Sequence, residues 1–225
     1  MSVASQVARS EVSQVASAVV GVSEGGAAAP SFALVVSTSA SNATSSAVNT
    51  TGAKLLVAVG SAFGGASTFT DSKSNTWIAL TAPNSGSYTL DLAYCIDPVV
   101  GTGHTFSFGG GFNAFRVFAF SATGTVAYGG MDSDATSLSV TDFSPGSITP
   151  DLPNSLIIAG ATTGATTADV AVSGSMALAQ YPSVGGVNVG EASAYLLQSV
   201  AALFTPTFTF PSSQVAATVA FFTVS

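Results

Sequence analysis

Asp71-Ser-Lys-Ser-Asn75-Thr-Trp77 brings together a carboxylate, an amide and the chain's single tryptophan. Oxygen ligands beside an aromatic ring could hold a cation or a sugar. Asp132-Ser-Asp134 is the second place where such groups cluster. Calcium takes roughly six to eight oxygens, and each cluster offers only two side chains. Neither follows an EF-hand or a glycine-rich calcium repeat. Asp and Asn use the same groups to close Asx turns, so both stretches read first as turns. On that reading Asp71 and Asn75 cap a turn that launches a strand over 76–80 and Trp77 anchors the core. Trp77→Ala then unfolds the domain, and Asp71→Ala matters little.

Other chemistry is thinly supplied. His104 is the only histidine and Cys95 the only cysteine, so no intramolecular disulfide, cysteine metal cluster or histidine-rich zinc site is expected. Cys95 lies in the apolar run Leu92–Ile96 and reads as a buried, inert thiol. A nucleophile needs a base beside it, which a single histidine makes improbable. Glycoside hydrolysis needs two acids flanking one cleft. Asp71, Asp91, Asp97, Asp132, Asp134, Asp142, Asp151, Asp169 and Glu191 stand mostly in turn-like contexts, and no pair stands out. The reading is a non-enzyme with no cofactor and no metal. The phenylalanines mostly follow strand periodicity and read as core. Tyr88, Tyr128 and Tyr181 lie in Gly-, Ser- and Pro-containing stretches and are the candidate ligand-binding residues.

Composition narrows the partners. Charged residues make up 7% of the 225-residue chain, with a net charge of −7. The four cations, Arg9, Lys54, Lys73 and Arg116, cannot build a phosphate-binding patch, so no nucleic-acid partner is expected. An acidic chain is repelled by anionic membranes, and no apolar run is long enough to insert as a helix. The start, MSVASQVARSEVSQVASAVVG, lacks a basic leader region, and Arg9 and Glu11 interrupt its apolar residues, so no signal peptide is read.

The elements that would position these groups are strands. Apolar runs at 32–36, 54–59, 76–80, 89–96, 105–108 and 115–120 are bounded by Gly, Pro, Asn or Asp. The second half repeats the plan. Leu55–Ala58 recurs as Leu156–Ala159 and Ala93-Tyr94 as Ala194-Tyr195, at an offset of 101; Thr105–Phe108 recurs as Thr207–Phe210 and Val117–Phe120 as Val219–Phe222, at 102. The expected fold is all-β: an antiparallel, jelly-roll-like β-sandwich over 31–225, built from halves of about 31–125 and 126–225. Two separate small sandwiches are the alternative. Uniformly apolar strands want cover on both faces, which favours one compact body.

Residues 1–30 read as a short helix and a flexible linker. Val3, Val7, Val12, Val15, Val19 and Val22 form an interrupted helical stripe for oligomerisation or attachment. Two heptads are too short for a stable coiled coil alone, so the stripe needs a partner. An unstructured tail is the alternative.

DSKSNTWIAL, then YTLDLAYCIDPVVGTGHTFSF, then FRVFAFS resembles the duplicated β-sandwich domains of phage virion structural proteins. The likeness covers roughly 51–121 and echoes over 150–223, where the Trp turn is missing. It implies a capsid decoration, head-fibre or tail-fibre protein, a homotrimer bound to other virion proteins and located in the virion. Such a protein is assembled in the host cytoplasm and needs no export signal. It implies no catalytic residues. A lectin-like adhesin recognising a host-surface glycan is the rival, and a tailspike-like hydrolase ranks last.

Overall fold

The computed structural model describes residues 29–225 except 66, 81–82, 110–111, 165–169 and 182–188. The valine stripe of residues 3–22 and its expected helix lie outside the described residues.

Two strands, β2 (Leu55–Phe63) and β9 (Ser155–Thr163), organise the molecule. Both are buried along nearly their whole length, which is why they read as continuous apolar runs rather than alternating ones. Around β2 the first sheet runs β1 (Phe32–Ser41), β7 (Asn113–Ala122), β2, β5 (Tyr88–Ile96) and β4 (Ile78–Ala79). Around β9 the second runs β8 (Val126–Phe143), β13 (Phe208–Val224), β9, β12 (Gly190–Gln198) and β11 (Ala177–Tyr181). All pairings are antiparallel. A ribbon of β3 (Phe69–Asp71) and β6 (Phe106–Phe108) lies on the outer face of the first sheet, while β10 (Ala171–Val172) pairs with the start of β13.

The fold is therefore all-β and internally duplicated, as the strand pattern predicts. Each half builds one complete sheet, with no strand exchanged between them, so the halves do not interleave. The repeat holds in the hydrogen bonds. Ser72 N donates to Thr105 O at 3.0 Å and Ser173 N to Thr207 O at 3.0 Å. The Ser72 and Ser173 hydroxyls accept from Thr105 N and Thr207 N at 3.0 and 2.9 Å.

Strand alternation gives each sheet two buried faces. Inner faces meet in a central core that includes Leu55, Val57, Leu90, Phe118, Phe120, Leu156, Ile158 and Phe222. The outer face of the first sheet packs Leu56, Phe115 and Val117 under Phe69, Phe106 and Phe108. The outer face of the second packs Ile157 and Val219 with Ile148, Phe208 and Phe210. Three cores explain how a chain with so few charges buries its apolar residues.

The sheets approach closely where Gly160 meets Val59: a Cβ there would lie 2.6 Å from Val59 Cγ1. A β-branched valine has little rotamer freedom to retreat. Gly160→Ala is expected to destabilise by about 1–3 kcal/mol, read as a lower urea midpoint.

Two segments differ from the sequence expectation. The strand expected over 76–80 shrinks to Ile78–Ala79, because the chain before it turns around Asp71. β8, rich in Gly, Ser, Thr and Asp, carries no strand signal, yet it forms an 18-residue edge along β13. Pairing to a long, apolar neighbour supplies the order its own side chains do not.

Candidate functional site

A cluster of mutually hydrogen-bonded polar side chains lies on the outer face of the first sheet, among residues 42–53 and the β3–β6 ribbon. Asp71 ends β3, and the chain turns back over its carboxylate. Oδ1 accepts from Lys73 N at 2.7 Å, Asn75 N at 3.4 Å and Asn75 Nδ2 at 3.2 Å. Oδ2 accepts from the Trp77 indole Nε1 at 2.8 Å. Burial pushes the Asp71 carboxyl up, but the donors from Trp77, Lys73, His104 and Asn75 outweigh it and hold the acid below its ordinary range. Ser74, at φ 60°, makes the left-handed step that closes the turn. Trp77 then packs on Phe69 and edge-on to Phe106.

His104 reaches the same carboxylate from below. A backbone bridge to Val48 places it, and its ring stacks on Phe106 at 4.2 Å. Nε2 lies 3.1 Å from Asp71 Oδ1, though off the ring's N–H axis. Nδ1 lies 2.9 Å from Thr50 Oγ1, which also accepts from Gly101 N at 3.1 Å. Hydroxyl, imidazole and carboxylate in a row have the order of a nucleophilic relay. Thr50 and His104 are both 0% exposed, so no substrate reaches the hydroxyl. The row is a buried brace tying the 42–53 segment, the loop before β6 and the Asp71 turn together.

Trp77 has a second role at its other edge. With Ser67, Thr68, Phe69, Ala79 and Asp91 it lines a cleft of about 70 Å³. Asp91, on β5, is 8% exposed, and its Oδ2 accepts from Ser67 N at 3.1 Å. Burial pushes its carboxyl up to about 6, with the Ser67 amide opposing.

A third acid lies in the central core. Glu191 faces inward from β12 and is fully buried, and neither oxygen has an in-line hydrogen bond among the described residues. Burial pushes it up to about 7, against the pull of the Ser193 hydroxyl and the charge of Arg116 on β7. The sequence reading that placed the acids mostly in turns is thus corrected for Glu191, near the start of β12, while Asp91 lies within β5, where a strand was expected over 89–96. The three acids lie on different faces or apart on one face, and no two flank an open cleft.

The duplication makes these groups legible. Asp71 pairs with Phe106 where Val172 pairs with Phe208. Ile78 and Ala177 oppose the repeated tyrosines 94 and 195, so Met176 stands where Trp77 does. By the same registers, Asp91 corresponds to Ala192 and Glu191 to Leu90. Each polar group replaces an apolar one in the sister half. That comparison is the signal that motif scanning missed.

Tyr128 stacks on Tyr94 at 5.2 Å and packs against Phe222 at 5.8 Å, at the edge of the central core. Tyr88 meets Phe63 edge-on at 5.8 Å and covers Gly164. Tyr181 ends β11, and its side chain lies outside the described residues. The three tyrosines therefore do not share one surface: Tyr88 alone among the two described rings lies at the sandwich end that carries exposed Phe63. Asp132 and Asp134 accept local amides, from Ser133 and Ser147 and from Ala135, all at 2.8–2.9 Å. Among the described residues no group of three His, Cys, Asp or Glu side chains could hold a metal ion. Cys95 is buried, and burial, with Asp71 and Asp97, pushes its thiol up. No helix among the described residues is long and apolar enough to cross a membrane.

Compared with known proteins, the chain matches no family model, no curated protein and no solved structure.

Proposed function

We propose that the chain is a non-enzymatic structural module of a phage particle: an exposed β-sandwich knob, tethered to capsid or tail through the residues before Pro30. The observation that carries this reading is the polarity of the knob. The chain enters at one end of the first sheet, where Ser31 N and the Ala29 carbonyl bond the Thr123 hydroxyl at 3.0 and 3.3 Å. Exposed aromatics gather at the other end of that sheet: Phe63 is 39% and Phe112 43% exposed, joined by a backbone bond of 2.9 Å. A tethered knob presents that far end outward. The occupied carboxylate of Asp71 and the sealed His104 brace support a scaffold role over catalysis. Virion location, other virion proteins as partners and a homotrimer remain part of this proposal, with the stripe Val3–Val22 as the attachment segment.

Deleting residues 2–22 is expected to leave the knob folded, with unchanged near-UV circular dichroism, and to abolish co-sedimentation with particles. A deleted form that still joins particles overturns the tether.

The rival is glycan recognition by the same far end. It is favoured by one observation, the Phe63–Tyr88 pair beside exposed Phe112, since aromatic faces stack on sugar rings. Glycan binding lost in Tyr88→Ala and kept in Tyr128→Ala supports it.

A further inference from the structure

The cleft under Trp77 holds a carboxylate without a counter-ion. Asp91 is more than nine-tenths buried; Oδ2 takes the Ser67 amide, and Oδ1 has no hydrogen-bond partner among the described residues. The Ser67 hydroxyl beside it is also buried and unpartnered. Buried charges are ordinarily paired, because an uncompensated one costs too much desolvation. Here no described cation acts on the carboxylate. Lys54 pairs with Asp97 at 3.4 Å, Lys73 lies against Gly101, and Arg116 faces the opposite side of the sheet toward Glu191. Ala66, Thr81 and Ala82, outside the described residues, are uncharged. The other titratable groups of this face are Asp71, which holds the Nε1 edge of Trp77, His104, which is sealed against Asp71, and Cys95, further along β5.

We propose that this cleft binds a primary ammonium group on a short alkyl stem, with Asp91 Oδ1 accepting its N–H and Trp77 lining the stem. A cleft of about 70 Å³ has room for about five water-sized positions, which suits an alkylammonium and excludes a sugar ring. With the Ser67 hydroxyl sealed from the cleft, one open carboxylate oxygen is too little for a calcium ion but accepts one of an ammonium's N–H donors. An aromatic wall adds attraction for a cation. A neutral hydroxyl would leave the buried charge uncompensated, and the chain's net charge of −7 draws cations toward it. The ammonium can come from a free amine or from a lysine side chain of a partner protein. This site goes beyond the structural role proposed above and does not depend on it.

The test uses the full chain. Trp77 is the only tryptophan, so its emission reports the cleft directly, and the Ser67 amide shift in NMR gives a second readout. n-Butylammonium and N-acetyl-lysine methylamide are titrated to tens of millimolar, with n-butanol as the neutral isostere. A saturable response to n-butylammonium and none to butanol is expected. Binding should weaken about tenfold at about pH 5, one unit below the value near 6 that burial gives the Asp91 carboxyl. Asp91→Asn, which keeps an acceptor for Ser67 N, is expected to remain folded and lose binding. Response to the lysine amide as well identifies a protein side chain as source; response to butylammonium alone identifies free amines. Equal responses to amine and butanol, no saturable response in either readout, or undiminished binding by Asp91→Asn overturn the site.

Discussion

Glu191→Gln is expected to stabilise the protein by about 3 kcal/mol at about pH 8 and by less than about 1 kcal/mol at about pH 5. The carboxyl is lifted from an ordinary 4.5 to about 7 by burial in the central core. Between those values the folded chain holds a proton that the unfolded chain has released. Stability therefore falls as pH rises through this window, and above it the full cost is present. Arg116 lessens the penalty without removing it, since its attraction is already contained in the raised value. A neutral amide of the same shape has no charge to desolvate, so the pH dependence flattens. Glu191→Leu, which copies its repeat partner Leu90, should stabilise similarly, because Leu90 is buried in the same central core, beside Gly160 of β9. Buried ion pairs are frequently no better than the apolar residues that could replace them. Urea unfolding at both pH values checks the prediction. A wild type whose stability is level from about pH 5 to 8 contradicts it.

Asp71→Ala is expected to cost more than about 3 kcal/mol, comparable to Trp77→Ala. The substitution strands the Trp77 indole, the Lys73 amide and the Asn75 amide at once, and removes the anion beside His104. A stranded donor costs about 1–3 kcal/mol where it is buried, and this part-buried network loses three together. Asp71→Asn is expected to be nearly as damaging, since its amide must turn a donor toward either Trp77 or Lys73. Because the donors hold this acid below its ordinary range, its contribution is present above the unfolded value and disappears as pH falls through the lower folded one. Its direction is opposite to that of Glu191, so stability peaks on the acidic side of neutral.

The turn reading of DSKSNTW foresaw the Asx closure, but Trp77 is half-buried against the outer core rather than inside it, and the reading gave Asp71 too little weight. A turn cap of local amides alone would be cheap to lose. The extra weight comes from His104 and Thr50, which stand 33 and 21 residues away in sequence, a juxtaposition no local spacing encodes. The strands were readable where apolar residues are continuous, as in β2, β5 and β9. β8 was not, because its order comes from the neighbour it pairs with. Glu191 was passed over because an acid between Gly190 and Ala192-Ser193 looks like a turn residue, and Asp91 because a lone acid inside the apolar run over 89–96 has no local partner. Setting the halves side by side would have exposed them, at positions whose partners are Ala192 and Leu90.

The claim that the first half's polar centre is scaffold, in a knob that works by attachment, is tested most directly on Asp71→Ala. Its unfolding free energy and its co-sedimentation with particles are measured on the same preparation, at a temperature where the variant remains folded. The account predicts a large loss of stability with particle association retained. Unchanged stability with particle or host attachment lost would contradict it, and would make the Asp71 turn a working site.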